Sequence, residues 1–304
     1  MGPTASGKTD LAVKLVQAYP FEIISVDSAL VYREMNIGTA KPDAAVLALA
    51  PHRLISFLDP AESYSVGDFL VDVRREMQSI WAANKVPLLV GGTMMYFHAL
   101  LHGVADLPLA DFAIREQLAK DAEEKGLAYL HQRLAQVDSV SAARIHPNDP
   151  QRIIRALEVY AISGKPLSQL HREAAAPALH FQPLQFSLQA GDRQQLHQRI
   201  ARRFLQMLQE GFIEEVQRLR DRGDLDLDKA SMRAVGYRQI WQYLSGLFGR
   251  EELNQKAIAA TSQLAKRQIT WLRKFDASTW LDSSDEKVLD QMQQQLHSRQ
   301  FFIG

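Results

Sequence analysis

Gly2-Pro3-Thr4-Ala5-Ser6-Gly7-Lys8-Thr9 opens the chain with the spacing G-x-x-x-x-G-K-T, the Walker A pattern of a phosphate-binding loop. Glycines let the backbone curl until successive N–H groups point at phosphate oxygens. Lys8 adds a positive point charge, and Thr9 offers a hydroxyl to a magnesium ion. A helix starting near Lys8 aims the positive end of its dipole at the same anion. The pattern specifies phosphate, but neither the phosphate compound nor the bond that breaks. Such a loop ordinarily follows a buried strand. Only Met1 precedes it here, so the expectation is a sheet short of a central strand, in a chain that is incomplete or less stable for it.

Outward from the loop, periodicity predicts a helix over 8–18, a strand over 21–26 ending at Asp27, and a helix over 66–81. Val86-Pro87-Leu88-Leu89-Val90 is too short for a helix and reads as a buried parallel strand. Gly91-Gly92-Thr93 then turns into a helix over 94–101. The alternation indicates an α/β fold whose ligands collect at the carboxyl ends of the strands, where Gly7, Asp27 and Thr93 all fall. Residues 106–181 read as helical, best over 118–134 and 150–162, with Gly164-Lys165-Pro166 as a stop and Ala174-Ala175-Ala176-Pro177 as a connector. Residues 184–188 read as a returning strand. From Asp192 onward helices dominate, with Trp280-Leu281 a final short strand and a Gln-rich end that says little. The expected organisation is a discontinuous core, 1–105 with 182–304, interrupted by a helical insertion over 106–181.

Composition sets further bounds. The 304 residues include no cysteine, which excludes disulfides, Cys-ligated zinc and a cysteine nucleophile, and fits a reducing cytoplasm. No run of 18 apolar residues exists, so no membrane span is expected. Formal net charge is zero, yet residues 193–274 carry 16 Lys/Arg against 9 Asp/Glu. A basic third in a neutral chain suggests a polyanion site, although solvated helix faces would give the same counts.

The candidate chemistry lies on few residues. Asp27, ending an apolar strand beside the loop, suits a magnesium ligand or a general base, or else a cap. Thr93 suits a helix cap, a hydrogen bond to a leaving group, or both. Arg199 and Arg203 are four apart on one helix face and suit a diphosphate or RNA backbone; Arg202 shares their turn. Arg152 and Arg155 share another face. Arg233-Ala234-Val235-Gly236-Tyr237-Arg238 mixes cations, glycine and an aromatic in a way that meets phosphates and stacks on bases. Lys266, Thr270 and Arg273 share a helix face beside Trp271, with Arg267 and Lys274 on the adjoining one. The nine histidines show no metal-ligand spacing.

Eight segments in order, GPTASGKT (2–9), SVDSALVY (25–32), MNIGTAKP (35–42), PHRL (51–54), LLVGGTMMY (88–96), RIHPNDPQRIIRALEVY (144–160), RAVGYRQIW (233–241) and QLAKRQITWLRKF (263–275), resemble the tRNA dimethylallyltransferase family. The resemblance runs from Gly2 to about Leu281. It implies a P-loop parallel-sheet core with a helical insertion that grips the tRNA anticodon stem-loop, in a monomeric cytoplasmic enzyme. The implied reaction transfers the five-carbon group of dimethylallyl diphosphate to N6 of adenosine 37, in loops with adenosines at positions 36 to 38, and releases diphosphate with Mg²⁺ as cofactor. By resemblance, Asp27 is the general base, Thr93 stands near the bridging oxygen and Arg203 contacts diphosphate. Gly2, Pro3, Thr4, Ala5, Ser6, Gly7, Lys8 and Thr9 hold the diphosphate, with Thr9 on the metal. Positions used against tRNA are Asp27, Ser28, Ala29, Leu30, Thr93, Arg115, Gln151, Arg152, Ile153, Ile154 and Arg155. To these the resemblance adds Arg233, Ala234, Val235, Gly236, Tyr237 and Arg238, then Lys266, Arg267, Gln268, Ile269, Thr270, Trp271, Leu272 and Arg273.

Three rival functions share the loop: a small-molecule or nucleotide kinase that binds ATP and closes a lid, an RNA-binding protein switched by a nucleotide, and an adenylate isopentenyltransferase acting on free AMP. The kinase lacks a clear second acidic strand and has no use for the basic C-terminal helices. The switch leaves Asp27 and Thr93 idle. The insertion and the basic helices favour tRNA over AMP.

Overall fold

A computed structural model describes residues 1–173, 181–189 and 191–299. The stretch 174–177, expected as a connector, lies outside the described residues. Two compact units result, Met1–Phe97 with Phe181–Gly304, and His98–His180. The architecture is mixed α/β, with small parallel sheets and many helices.

The first unit begins with the Gly2–Thr9 loop, then α1 (Lys8–Ala18), β1 (Phe21–Val26), α2 (Ala44–Leu49), β2 (His52–Arg53), α3 (Val66–Ala82) and β3 (Val86–Gly91), and runs into α4 (Met94–His102). β1 is the centre of a parallel sheet of order β2-β1-β3, with Ile23 beside both His52 and Leu88. Its Ile23, Ile24 and Val26 are fully buried, as a strand covered on both faces requires. Ser65 and Asp68 start α3 with a reciprocal cap: the Ser65 hydroxyl accepts from Asp68 N and the Asp68 carboxylate accepts from Ser65 N. At the carboxyl edge Val26 pairs with Gly91. A Cβ on Gly91 would stand 1.9 Å from the Val26 carbonyl oxygen, so only glycine lets the strands meet there. The run 86–90, expected as a buried strand, is half-buried because β3 lies at the edge of its sheet.

The second unit holds α5 (Phe112–Lys125), α6 (Leu127–Val137), α7 (Ser139–Arg144), α8 (Pro150–Ser163) and α9 (Leu167–Glu173). Leu118, Leu130, Leu134, Ile153 and Leu157 form its core. Each such buried side chain contributes about 2 kcal/mol. The single helix expected over 118–134 is two, because Gly126 takes φ 83° and ends α5. Asp149 caps α8, with Pro150 at its first position and Gly164 in the left-handed conformation at its end.

The first unit resumes with β4 (Phe186–Gln189), α10 (Arg193–Gln209), α11 (Phe212–Asp221), α12 (Tyr237–Leu244), α13 (Arg250–Leu272), β5 (Thr279–Asp282) and α14 (Val288–Ser298). β4 and β5 form a second, two-stranded parallel sheet. Met1 and Gly2 hydrogen-bond to a strand of each sheet: Met1 N donates to Phe186 O at 2.8 Å, Leu188 N to Met1 O at 2.9 Å, and Gly2 N to Gly91 O at 3.3 Å. Phe204, Phe212, Val216, Met232, Tyr237 and Leu253 fuse α10–α13 into one core that also takes in Val31, Tyr32 and Met35. The Gln-rich end folds as α14 because Val288, Met292 and Leu296 recur every four residues and bury against Leu11, Leu15 and Leu188. Among the described residues no helix is long and apolar enough to cross a membrane.

Candidate active site

The Gly2–Thr9 loop curls through two left-handed residues, Ala5 at φ 60° and Gly7 at φ 76°, before α1 begins at Lys8. That path turns a row of amides to one side. The N–H groups of Ala5, Ser6, Gly7, Lys8 and Thr9 have no hydrogen-bond partner among the described residues. The hydroxyls of Ser6 and Ser25 are buried and equally unpartnered. Unmet donors in such density, at a helix N-terminus, are what an anion satisfies.

All of this borders one cavity of about 650 Å³ in the first unit. Lys8, Thr9, Asp27, Arg199 and Arg203 line it, as do the apolar Ile200, Phe204, Met207 and Leu264. The cavity therefore has a cationic wall beside the loop and hydrocarbon along α10 and α13. Burial lowers the Lys8 ammonium to about 8, with Asp27 opposing the shift and Arg203 adding to it. Lys8 Nζ donates to Pro3 O at 3.1 Å. Burial likewise pulls the Arg203 guanidinium below its usual range, against Asp10 and Asp27. Burial outweighs the carboxylates that oppose it at both cations, and neither Lys8 nor Arg203 forms a salt bridge among the described residues; a polyphosphate would supply the close counter-charge.

Asp27 follows β1 and forms a tight turn: its Oδ1 accepts from Ala29 N at 2.9 Å and from Leu30 N at 3.3 Å. Its Oδ2 makes no hydrogen bond among the described residues. Thr93 does not line the cavity; its Oγ1 accepts from Ser28 N at 3.0 Å, joining the end of β3 to the Asp27 turn. No group of three or more His, Cys, Asp or Glu among the described residues could hold a metal ion alone. The Thr9 hydroxyl on the cavity wall suits a magnesium ion that keeps its waters and binds chiefly through phosphate oxygens.

The residues expected against tRNA divide by helix face. Gln151, Arg152, Arg233, Arg238, Lys266, Arg267, Thr270 and Arg273 are exposed. Lys274 lies 4.3 Å over the Trp271 ring. Ala29, Leu30, Ala234, Val235 and Gly236 reach the cavity wall. Ile153 and Leu272 are fully buried, and Ile154 and Ile269 pack against cores, because each stretch is helical and one side must face inward. Tyr237 is also fully buried; its hydroxyl donates to Glu215, which accepts from Asn36, Ile37 and Gly38 N as well. Glu215 thus fixes the segment carrying Gly38, Thr39 and Ala40 on the cavity wall. The MNIGTAKP segment was visible in the sequence, but its anchor, 177 residues away from Gly38, was not.

Arg115 and Arg155 converge on Glu158, which is completely buried. Arg115 pairs with it at 2.8 Å and Arg155 at 2.6 Å, Asp111 N donates to it, and Arg155 also donates to Pro108 O. Burial alone would raise the Glu158 carboxyl, but the bonds from Arg115, Arg155 and Asp111 outweigh it and hold the group below its usual range. The charged form is therefore favoured by folding, and this stability is present above the unfolded carboxyl pKa and lost as pH falls through the folded one. Glu158→Gln is expected to cost about 3 kcal/mol at neutral pH. Urea denaturation of variant and parent at pH 7 and pH 4 checks this: the difference between them narrows at the lower pH.

Fold and site together define a mixed α/β protein built around a cationic, partly apolar cleft with the groups for handling a phosphorylated hydrocarbon. A sequence model of the family described as IPP transferase matches residues 30–275. A full-length tRNA isopentenylpyrophosphate transferase from Bacillus halodurans is 35% identical, covering 99% of this chain and 96% of its own, with a TM-score of 0.70. A tRNA delta(2)-isopentenylpyrophosphate transferase from Staphylococcus epidermidis is 32% identical, covering 98% and 97%, also at 0.70. A eukaryotic dimethylallyltransferase acting on tRNA shares the fold at a TM-score of 0.81 and 24% identity, covering 99% of this chain and 78% of its own. The chain belongs to the IPP transferase family and is a prenyltransferase.

Proposed function

We propose that the chain transfers the dimethylallyl group of dimethylallyl diphosphate to N6 of adenosine 37 in tRNA. The observation that carries this is one cavity bordered by the unpaired Ala5–Thr9 amides, Lys8, Arg203 and the Asp27 carboxylate. Gly2–Thr9 then acts as a P-loop gripping a leaving group. As the allylic C–O bond breaks, negative charge grows on diphosphate, where the amides, Lys8 and Arg203 meet it. The adenine N6 forms the new C–N bond and loses a proton to Asp27. Apolar side chains along α10 and α13 exclude water from the allylic carbon. Thr9 would hold Mg²⁺, which supplies charge neutralisation on the diphosphate. Thr93, outside the cavity lining, acts by positioning the Asp27 turn through Ser28. The target base must leave its stack, which costs least in a single-stranded loop. Exposed Arg152, Arg233, Arg238, Lys266, Arg267 and Arg273 are the groups suited to the RNA backbone, the first of them in the helical unit that would grip the anticodon stem-loop. The setting is cytoplasmic and the working form a monomer.

The test supplies radiolabelled dimethylallyl diphosphate with tRNA bearing adenosines at positions 36 to 38, with AMP in parallel, and ATP as a separate substrate. Label on tRNA alone is the expected result. Label on AMP, or ATP turnover without prenyl transfer, would overturn it.

A further inference from the structure

In the expected tRNA-contacting stretch of α13, where Ile269 and Leu272 turn to the core, one polar side chain also turns inward. Gln268 lines the cavity, while its neighbours Lys266, Arg267 and Thr270 are exposed. Its Oε1 accepts from Thr4 N at 2.9 Å, and its Nε2 donates to Gly92 O at 2.9 Å. Each end of the amide therefore meets the group that it alone can satisfy. Glutamate of the same length would set a carboxylate oxygen against the Gly92 carbonyl, and methionine would leave both groups unmet.

The two bonds join two parts of the site. Thr4 N is the amide directly before the unpaired row of Ala5–Thr9, so Gln268 fixes where that row begins. Gly92 directly precedes Thr93, whose hydroxyl accepts from Ser28 beside Asp27. Gly2 N bonds to Gly91 O at 3.3 Å, a longer contact between the same loop and turn. We propose that Gln268 is a positioning residue that sets the spacing between the diphosphate amides and the Thr93–Asp27 end of the cavity, rather than a residue that contacts tRNA. The proposal deepens the reading above and rests on it for the identity of the anion. A displacement of a few tenths of an ångström in the loop misaligns several donors at once, which is why a residue that does not touch the anion governs its binding.

Gln268→Met and Gln268→Glu are measured against the parent by calorimetric titration with inorganic diphosphate, by filter binding of tRNA, by thermal melting, and by the split of kcat and donor KM. Diphosphate affinity is expected to fall about tenfold in the methionine variant, the loss that about 1.4 kcal/mol gives, and further in the glutamate variant, where a negative charge stands beside the anion. Donor KM rises in parallel and kcat falls, while tRNA affinity stays within about twofold and melting within a few degrees. Unchanged diphosphate affinity, a tRNA affinity that falls as far as that for diphosphate, or loss of folding in both variants would overturn the assignment. A parent chain that transfers no prenyl group would sink the proposed function instead, and the diphosphate titration would still decide Gln268.

Discussion

Asp27→Asn is expected to lower the single-turnover rate of prenyl transfer about 10²- to 10⁴-fold, the range that a positioned proton acceptor contributes. Asparagine is the informative replacement because its side-chain carbonyl can still accept from Ala29 and Leu30 N, so the turn after β1 survives. What disappears is the ability of the second oxygen to take a proton from N6. tRNA affinity by filter binding should change less than about twofold. A single-turnover rate equal to that of the parent, at saturating tRNA and donor, removes Asp27 as the base.

Lys8→Met is expected to reduce kcat/KM for the donor about 10²- to 10³-fold, as loss of one preorganised charge on a developing oxyanion does. Methionine keeps much of the buried stem and removes the ammonium that reaches Pro3 O. The effect is large because the cation is desolvated: burial has already brought it down to about 8, so its interaction with an anion is weakly screened. Steady-state kinetics with varied donor at saturating tRNA is the measurement. An unchanged donor KM together with an unchanged kcat would clear Lys8 of contact with diphosphate.

The two variants probe parts of the site that differ in how legible they were. Lys8 and its amide row were readable because eight consecutive residues carry the whole device, and a local motif needs no tertiary contact to be recognised. Asp27 was readable as a strand end, since β1 is apolar and short. Gln268 was visible only as one letter of a basic helix. Helical spacing separates it from Lys266 and Arg267, but spacing does not say that the face away from the cations meets Thr4 and Gly92. Arg115 and Arg155 show the opposite case. Resemblance places both against tRNA, and no local signal announces the buried Glu158 that pairs with both of them, 43 residues from the first. Gly126, a helix break in the structure, stood inside a continuous apolar spacing and was overridden by it.

By itself the sequence determined the elements with strong local signals: the loop and α1, β1, α3, β3, and the helices α10 and α13. These depend on periodicity, caps and turn residues that act over a few positions. Tertiary structure alone decided which charges are spent internally and which remain exposed, that Tyr237 and Glu215 anchor the cavity wall, that α14 closes over α1, and that Gln268 ties α13 to the loop. Those are long-range pairings between groups whose identity is local but whose partners are fixed only when the chain closes, because burying a charge or an amide is tolerable only where a complementary group is brought to it.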